Sequence, residues 1–224
     1  MTLESVKVMT MQSIQAPAQP TPSREKITFE EYLRRYDSYE GGRTEWLAGE
    51  VDIHAMTNNA QHNELLRFLM TFLSAFVELN RSGRVVLAGV PMYYSDDAPA
   101  REPDLMILLT PHENRLTHRY VQGVADIVVE IVSPESDERD RGTKFLEYEA
   151  AGVPEYWMFD PLRQIATIYA RGHDGRYRPL DRDAQGRLVS TLLPGFALDT
   201  DLLWQDALPG SATIVTLVQN LLAE

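Results

Sequence analysis

Between Gln61 and Leu79 the apolar residues Leu65, Leu66, Leu69, Phe72, Leu73, Phe76 and Val77 recur three and four positions apart, and this spacing predicts one long amphipathic helix. Elsewhere the apolar positions run together in short blocks. Residues 84–90, 92–94, 103–109, 126–133, 154–160 and 164–170 each read as a strand, with the last two joined as a hairpin around Pro161. Residues 44–53 read as two shorter strands folded at Gly49, although Ala-Gly is a weaker hairpin signal than Asn-Gly.

Polar punctuation sets the remaining boundaries. Thr28 and Glu31 have the spacing of a capping box and open a helix over 28–36. Ser136 as N-cap and Gly152 as stop bracket a second helix over 137–151, and 211–222 reads as a closing helix. Residues 173–176 and 183–187 read as turns between short strands. Strands on both sides of two central helices predict an α/β fold with a mixed sheet, not a sandwich or a bundle.

Composition narrows this picture. A chain of 224 residues with 44% hydrophobic content can form one substantial core. Residues 12–24 are rich in Pro, Gln and Ser, so residues 1–26 are expected to be a flexible arm and 27–224 a single domain. The start of the chain lacks the pattern of a secretory signal, and nowhere do eighteen apolar residues run together. A soluble, cytoplasmic protein with no membrane partner is the expectation. With no cysteine, thiolate metal sites and cysteine nucleophiles are excluded, leaving oxygen and nitrogen side chains for any chemistry. A net charge of −12 argues against a broad nucleic-acid-binding surface, because phosphate contacts supply most nonspecific affinity. Any such site must be local.

Candidate chemistry begins with Glu130. It lies inside an Ile-Val-rich run, and burying a carboxylate there costs several kcal/mol without a compensating partner. Asp104 opens the run before it, and a metal held by both would supply that partner. Lys144 lies on the following helix, where an exposed ion pair with Asp140 is the competing reading. Tyr148 is one turn further on the same face, a position more often taken by a core aromatic. His62 opens the long helix, and Glu45 lies on the N-terminal hairpin. His112 and His118 lack a third zinc ligand at normal spacing, and Ser133 lacks a nucleophile-elbow context.

Pro103-Asp104, the Val-Glu-Ile-Val-Ser-Pro run at 129–134, the helix bearing Lys144 and Tyr148, and residues 152–161 together resemble the Uma-type putative restriction endonuclease family of the PD-(D/E)xK nuclease superfamily. The likeness extends from about Phe29 to about Leu180 and includes the hairpin and His62. The resemblance implies a restriction-endonuclease-like core with flanking helices, in which Asp104 and Glu130 hold Mg²⁺, or Mn²⁺ in its place, and a lysine assists catalysis. In the superfamily pattern that lysine stands two residues after the acid, where this chain has Val132. Lys144 is then the substitute, and Glu45, His62 and Tyr148 are accessory candidates.

These residue types suit the chemistry. Mg²⁺ prefers oxygen donors and usually takes one or two carboxylates from the protein. The function implied is hydrolysis of DNA phosphodiester bonds, with a homodimer expected by analogy with nucleases that cut both strands. Two alternatives stand beside it: a non-catalytic nucleic-acid-binding or assembly module that retains the fold, and a structural or regulatory protein in which hydrogen bonds satisfy Glu130. Arg101, Arg115, Arg119, Arg139 and Arg141, which flank the proposed site, are the basic candidates for phosphate contact.

Overall fold

A computed structural model describes residues 26–36, 39, 42–54, 59–133 and 142–223. Helix α1 (Phe29–Tyr36) leads to the hairpin β1 (Arg43–Leu47) and β2 (Glu50–His54), followed by the long helix α2 (Ala60–Leu79). Next come β3 (Gly83–Leu87), β4 (Met92–Tyr93), β5 (Pro99–Ala100), β6 (Leu105–Leu109), β7 (Val121–Gln122) and β8 (Ile127–Ile131). Helix α3 (Lys144–Ala151) precedes β9 (Glu155–Asp160), β10 (Ile165–Arg171), β11 (Tyr177–Pro179), β12 (Leu188–Val189) and β13 (Ala197–Leu198), and α4 (Ser211–Leu221) closes the chain. The result is the mixed α/β architecture read from the pattern.

Six strands form the central sheet in the order β11-β10-β9-β8-β6-β3. Strands β8 and β9 are parallel, joined by a crossover through α3, and the other neighbours are antiparallel. Side chains alternate between the two faces of a strand. On β8, Ile127, Val129 and Ile131 join the core beneath α2 and α4, whereas Val128, with Val132 just past the strand end, joins a second core that includes Tyr148 of α3. On β6, Leu105 and Ile107 belong to the first core, and Met106 and Leu108 to the second. Both strands are buried on two faces, which is why their sequences read as continuous apolar runs. A smaller sheet, β2-β1-β5, packs Trp46 and Ala100 with Ile27, Phe29 and Tyr32 in a third core.

Local signals act largely as their chemistry requires. The side chain of Asn59 accepts from the His62 N–H at 3.2 Å and caps α2. Ala48 and Gly49, at φ 51° and 104°, form the two-residue turn of the β1–β2 hairpin, and both left-handed residues give it the type I′ character that matches strand twist. The capping box at α1 is half formed. The Glu31 N–H donates to Thr28 Oγ1 at 3.1 Å, but the Glu31 carboxylate pairs with Arg34 and Arg35 instead of turning back.

The expected helix over 137–151 is described from Lys144, after a wide turn at residues 142–143. Residues 134–141, with the expected N-cap Ser136 and with Arg139, Asp140 and Arg141, lie outside the described residues, as does the N-terminal arm apart from Lys26. Gly152 ends the helix in the left-handed region at φ 86°, as its sequence position implies. The long connection from β6 to β8 is ordered by its own polar groups. Asp126 accepts from His112 Nδ1 at 2.7 Å and from the Leu109 N–H at 2.8 Å, so His112 is part of a brace, not a metal ligand. Among the described residues no helix is long and apolar enough to cross a membrane.

Candidate active site

Strands β6 and β8 pair with Leu105 opposite Val129 and Met106 opposite Val128. One step further along this register sets Asp104 opposite Glu130, and strand alternation turns both toward the α3 face. The ladder ends there because the Asp104 side chain takes over its next bond: Oδ2 accepts the Ile131 N–H at 2.8 Å. Asp104 is 3% exposed and Glu130 2%. A surface-edge position for Glu130 is thereby excluded.

Helix α3 supplies the groups that make this burial tolerable. Lys144 Nζ and the Tyr148 hydroxyl each donate to Glu130 Oε1 at 2.8 Å. Residues four apart lie on one helix face, so a single helical turn delivers both. Lys144 is 4% exposed, and the reading of it as a solvent-exposed helical ion pair falls on that burial. Tyr148 meets both of its readings, with its ring in the second core and its hydroxyl in the site. Val132 is buried in the same core and takes no part in the polar cluster.

The N-terminal hairpin closes another side. On β1, Thr44 and Trp46 face α1, where Tyr32 donates to the Thr44 backbone oxygen at 2.9 Å, so alternation turns Arg43 and Glu45 the other way. Strand β5 pairs with β1 in a register that, carried on, sets Arg101 opposite Glu45. Arg101 Nη1 donates to Glu45 Oε2 at 2.6 Å, and its Nε and Nη2 grip Glu147 of α3 at 2.8 and 3.0 Å. Arg43 Nη1 stands 3.7 Å from Asp104 Oδ1, and its Nη2 donates to the Glu102 backbone oxygen at 3.1 Å. His62, at the start of α2, places Nε2 3.3 Å from Asp104 Oδ2.

Electrostatics follow from this crowding. Burial alone would push the Asp104 carboxyl up, but the His62 contact, the Lys144 charge and the Ile131 N–H together hold it below its usual range. Burial would likewise raise Glu45, and His54, Lys144 and Arg101 overcome it and bring the group well below the ordinary value. For His62, burial favours the neutral ring, yet Asp104 prevails and raises it. Glu102 goes the other way. Burial, together with the neighbouring charge on Glu45, raises it to about 6 against the lowering pull of Arg43, and its Oε1 accepts from the Tyr32 hydroxyl at 3.4 Å.

Every sequence-derived candidate therefore lands in one cluster: Asp104, Glu130, Lys144, Glu45, His62 and Tyr148. The described flanking arginines, Arg101, Arg115 and Arg119, are each engaged by other protein groups. Arg101 is locked in ion pairs inside the cluster, Arg115 donates to the Val124 backbone oxygen, and Arg119 donates to that of Leu33. Sequence reasoning missed Arg43, Glu102 and Glu147. For Arg43 the signal was present, since alternation from Glu45 puts it on the same face; Glu147 and Glu102 carried no comparable signal because their partners are distant in the chain.

The donor set fits a hard divalent cation held by two carboxylates, Asp104 and Glu130, the usual protein contribution to a Mg²⁺ site. Among the described residues no group of three or more His, Asp or Glu side chains is arranged to hold a metal ion. A site of this kind would be completed by water and substrate oxygens.

The architecture is shared with a solved structure. A crystal structure described as a putative nuclease belonging to DUF820, from Anabaena variabilis ATCC 29413, superposes with a TM-score of 0.62 at 18% identity, covering 80% of this chain and 97% of that one. No curated protein matches the chain. Residues 29–201 match the model of the Uma2 family, described as putative restriction endonuclease, and the chain belongs to that family.

Proposed function

We propose that this protein is a metal-dependent endonuclease hydrolysing DNA phosphodiester bonds, with Asp104 and Glu130 holding Mg²⁺, or Mn²⁺, and Lys144 acting beside them. The observation that carries this reading is the placement of Asp104 opposite Glu130 on one face of the sheet, with the Lys144 amine 2.8 Å from Glu130. Membership in the Uma2 family supports it.

In the reaction a water oxygen adds to phosphorus, the bond from phosphorus to one sugar oxygen breaks, and that oxygen takes a proton. A bound divalent cation supplies charge at the phosphoryl oxygens and lowers the pKa of water. Lys144 orients the attacking water, or offsets the charge that builds up on the phosphoryl oxygens. Tyr148 fixes the Glu130 carboxylate through its hydroxyl, and His62 does the same for Asp104. Glu45 acts through Arg101 and the shared field of Lys144. Cutting both strands of a duplex with one such site per chain calls for two copies, so the proposal includes a homodimer on DNA, to be tested by light scattering.

Calorimetry with Mg²⁺ and Mn²⁺ on wild type, Asp104→Ala and Glu130→Ala, with plasmid nicking on the same samples and on Lys144→Ala, tests the assignment. Metal binding lost in both carboxylate variants and nicking lost in all three is the expected result. Absence of metal binding by the wild type would sink it. Binding without nicking favours the second reading, a non-catalytic nucleic-acid-binding module. Its supporting observation is that position 132 holds a buried valine in place of the superfamily lysine.

A further inference from the structure

Three cationic side chains among the described residues stand next to the carboxylates of the site, and they differ in how they are used. Lys144 and Arg101 are buried, their side chains 5% and 6% exposed, and each donates to a carboxylate at hydrogen-bond distance. The Arg43 side chain is 39% exposed. Among the described residues its only short contact is to a backbone carbonyl, that of Glu102, and it approaches Asp104 no nearer than 3.7 Å, an ion-pair distance too long for a hydrogen bond. A guanidinium offers five N–H donors in a planar fork, and one carbonyl uses one of them.

An arginine whose task was to neutralise Asp104 would bond to it, as Lys144 bonds to Glu130 at 2.8 Å and Arg101 to Glu45 at 2.6 Å. Arg43 instead is tethered at one corner by a carbonyl, within the field of Asp104, Glu130, Glu102 and Glu45, on a side chain that remains 39% exposed. Planar, bidentate recognition of a phosphate is what that fork is shaped for. The surroundings give it a reason to be there: a phosphodiester entering this cluster meets several carboxylates on a chain of net charge −12.

Resting on the nuclease reading above, we infer that Arg43 is a substrate-binding residue that grips a backbone phosphate of the nucleic acid at the mouth of the site. It supplies a local positive contact where the overall charge is unfavourable, and its tether to the Glu102 carbonyl keeps the fork beside Asp104. Lys144 and Arg101 are more deeply buried and each already holds a carboxylate at hydrogen-bond distance, so the contact at the mouth falls to Arg43.

The test is the salt dependence of binding. Full-length wild type, Arg43→Gln and Arg43→Lys are titrated against a short fluorescein-labelled DNA duplex in Ca²⁺ over a series of KCl concentrations, with thermal unfolding to verify the fold. Loss of one phosphate contact makes the slope of log K against log salt shallower by about 0.9. Arg43→Gln is expected to show that change with weaker binding, and Arg43→Lys to keep the slope while losing part of the affinity. A wild-type slope in Arg43→Gln overturns the assignment and leaves the nuclease reading standing. Should Arg43→Gln not fold, wild-type affinity in Arg43→Lys overturns it. A wild type that binds no duplex overturns both.

Discussion

Asp104 stands opposite Glu130 in the continued β6–β8 register, and it accepts the N–H of Ile131, the residue next to Glu130, at 2.8 Å. The strand end and the candidate site are thus one feature. Two carboxylates buried side by side repel each other, and the fold answers by surrounding them with Lys144, His62 and Arg43. This arrangement has measurable consequences for stability as well as for activity.

Removing one partner of a buried ion pair costs more than removing both. Lys144→Met should destabilise the metal-free protein by roughly 3–5 kcal/mol, because it leaves Glu130 charged among apolar side chains. Adding Glu130→Gln should restore much of the loss. Denaturant unfolding of the two single variants and the double variant in EDTA measures this, and additive losses would contradict the pairing.

Arg101 ties β1 to α3 by holding Glu45 at 2.6 Å and Glu147 at 2.8 and 3.0 Å. Arg101→Lys keeps the charge but cannot span both carboxylates with a fork. Since Glu147 shares a helix with Lys144 and Tyr148, loosening it lets the Lys144 amine drift, and displacement of about 1 Å can cost about 10²-fold in rate. The variant should lower the turnover number in nicking with little change in KM. Unchanged turnover would show that α3 is held without this clamp.

Glu102 predicts a pH effect. Its carboxyl is raised to about 6 in the folded protein, chiefly by burial, so the ionised form is disfavoured by folding. The folded state therefore binds the proton more tightly than the unfolded state, and stability falls as pH rises through the interval from the unfolded value to about 6, by no more than about 2 kcal/mol. Denaturant midpoints of metal-free wild type and Glu102→Gln across that interval read it directly. The wild type should lose stability relative to the variant as pH rises, and parallel curves would rule the effect out.

The β1–β2 turn holds Ala48 at φ 51°, where a side chain with a Cβ is strained and asparagine or glycine is favoured. Ala48→Asn should raise stability by roughly 0.5–1 kcal/mol by creating the Asn-Gly pair suited to this turn. A higher melting temperature with unchanged nicking is the expected outcome. A lower one would mean that Ala48 makes contacts worth more than its backbone strain.

Local pattern alone determined the long helix, the main strands and both hairpins, because apolar spacing is a local property that tertiary packing reinforces here, whereas the two-residue strands β5 and β7 fall where the sequence read as turn and loop. Glu130 stood out for the same reason: a carboxylate inside a buried strand demands a partner wherever the strand ends up. The identity of the partner was another matter. Lys144 lies fourteen positions away and fits an exposed helical pair equally well by spacing, so only the docking of α3 on the sheet joined it to Glu130. The same holds for Arg101, which looked like a phosphate contact and proved to be locked between Glu45 and Glu147. What spacing could not convey was the meeting of residues from β1, α2, the β5–β6 segment, β8 and α3, since ion pairs between distant segments depend on how sheets and helices stack, and that is decided by the packing of the whole core.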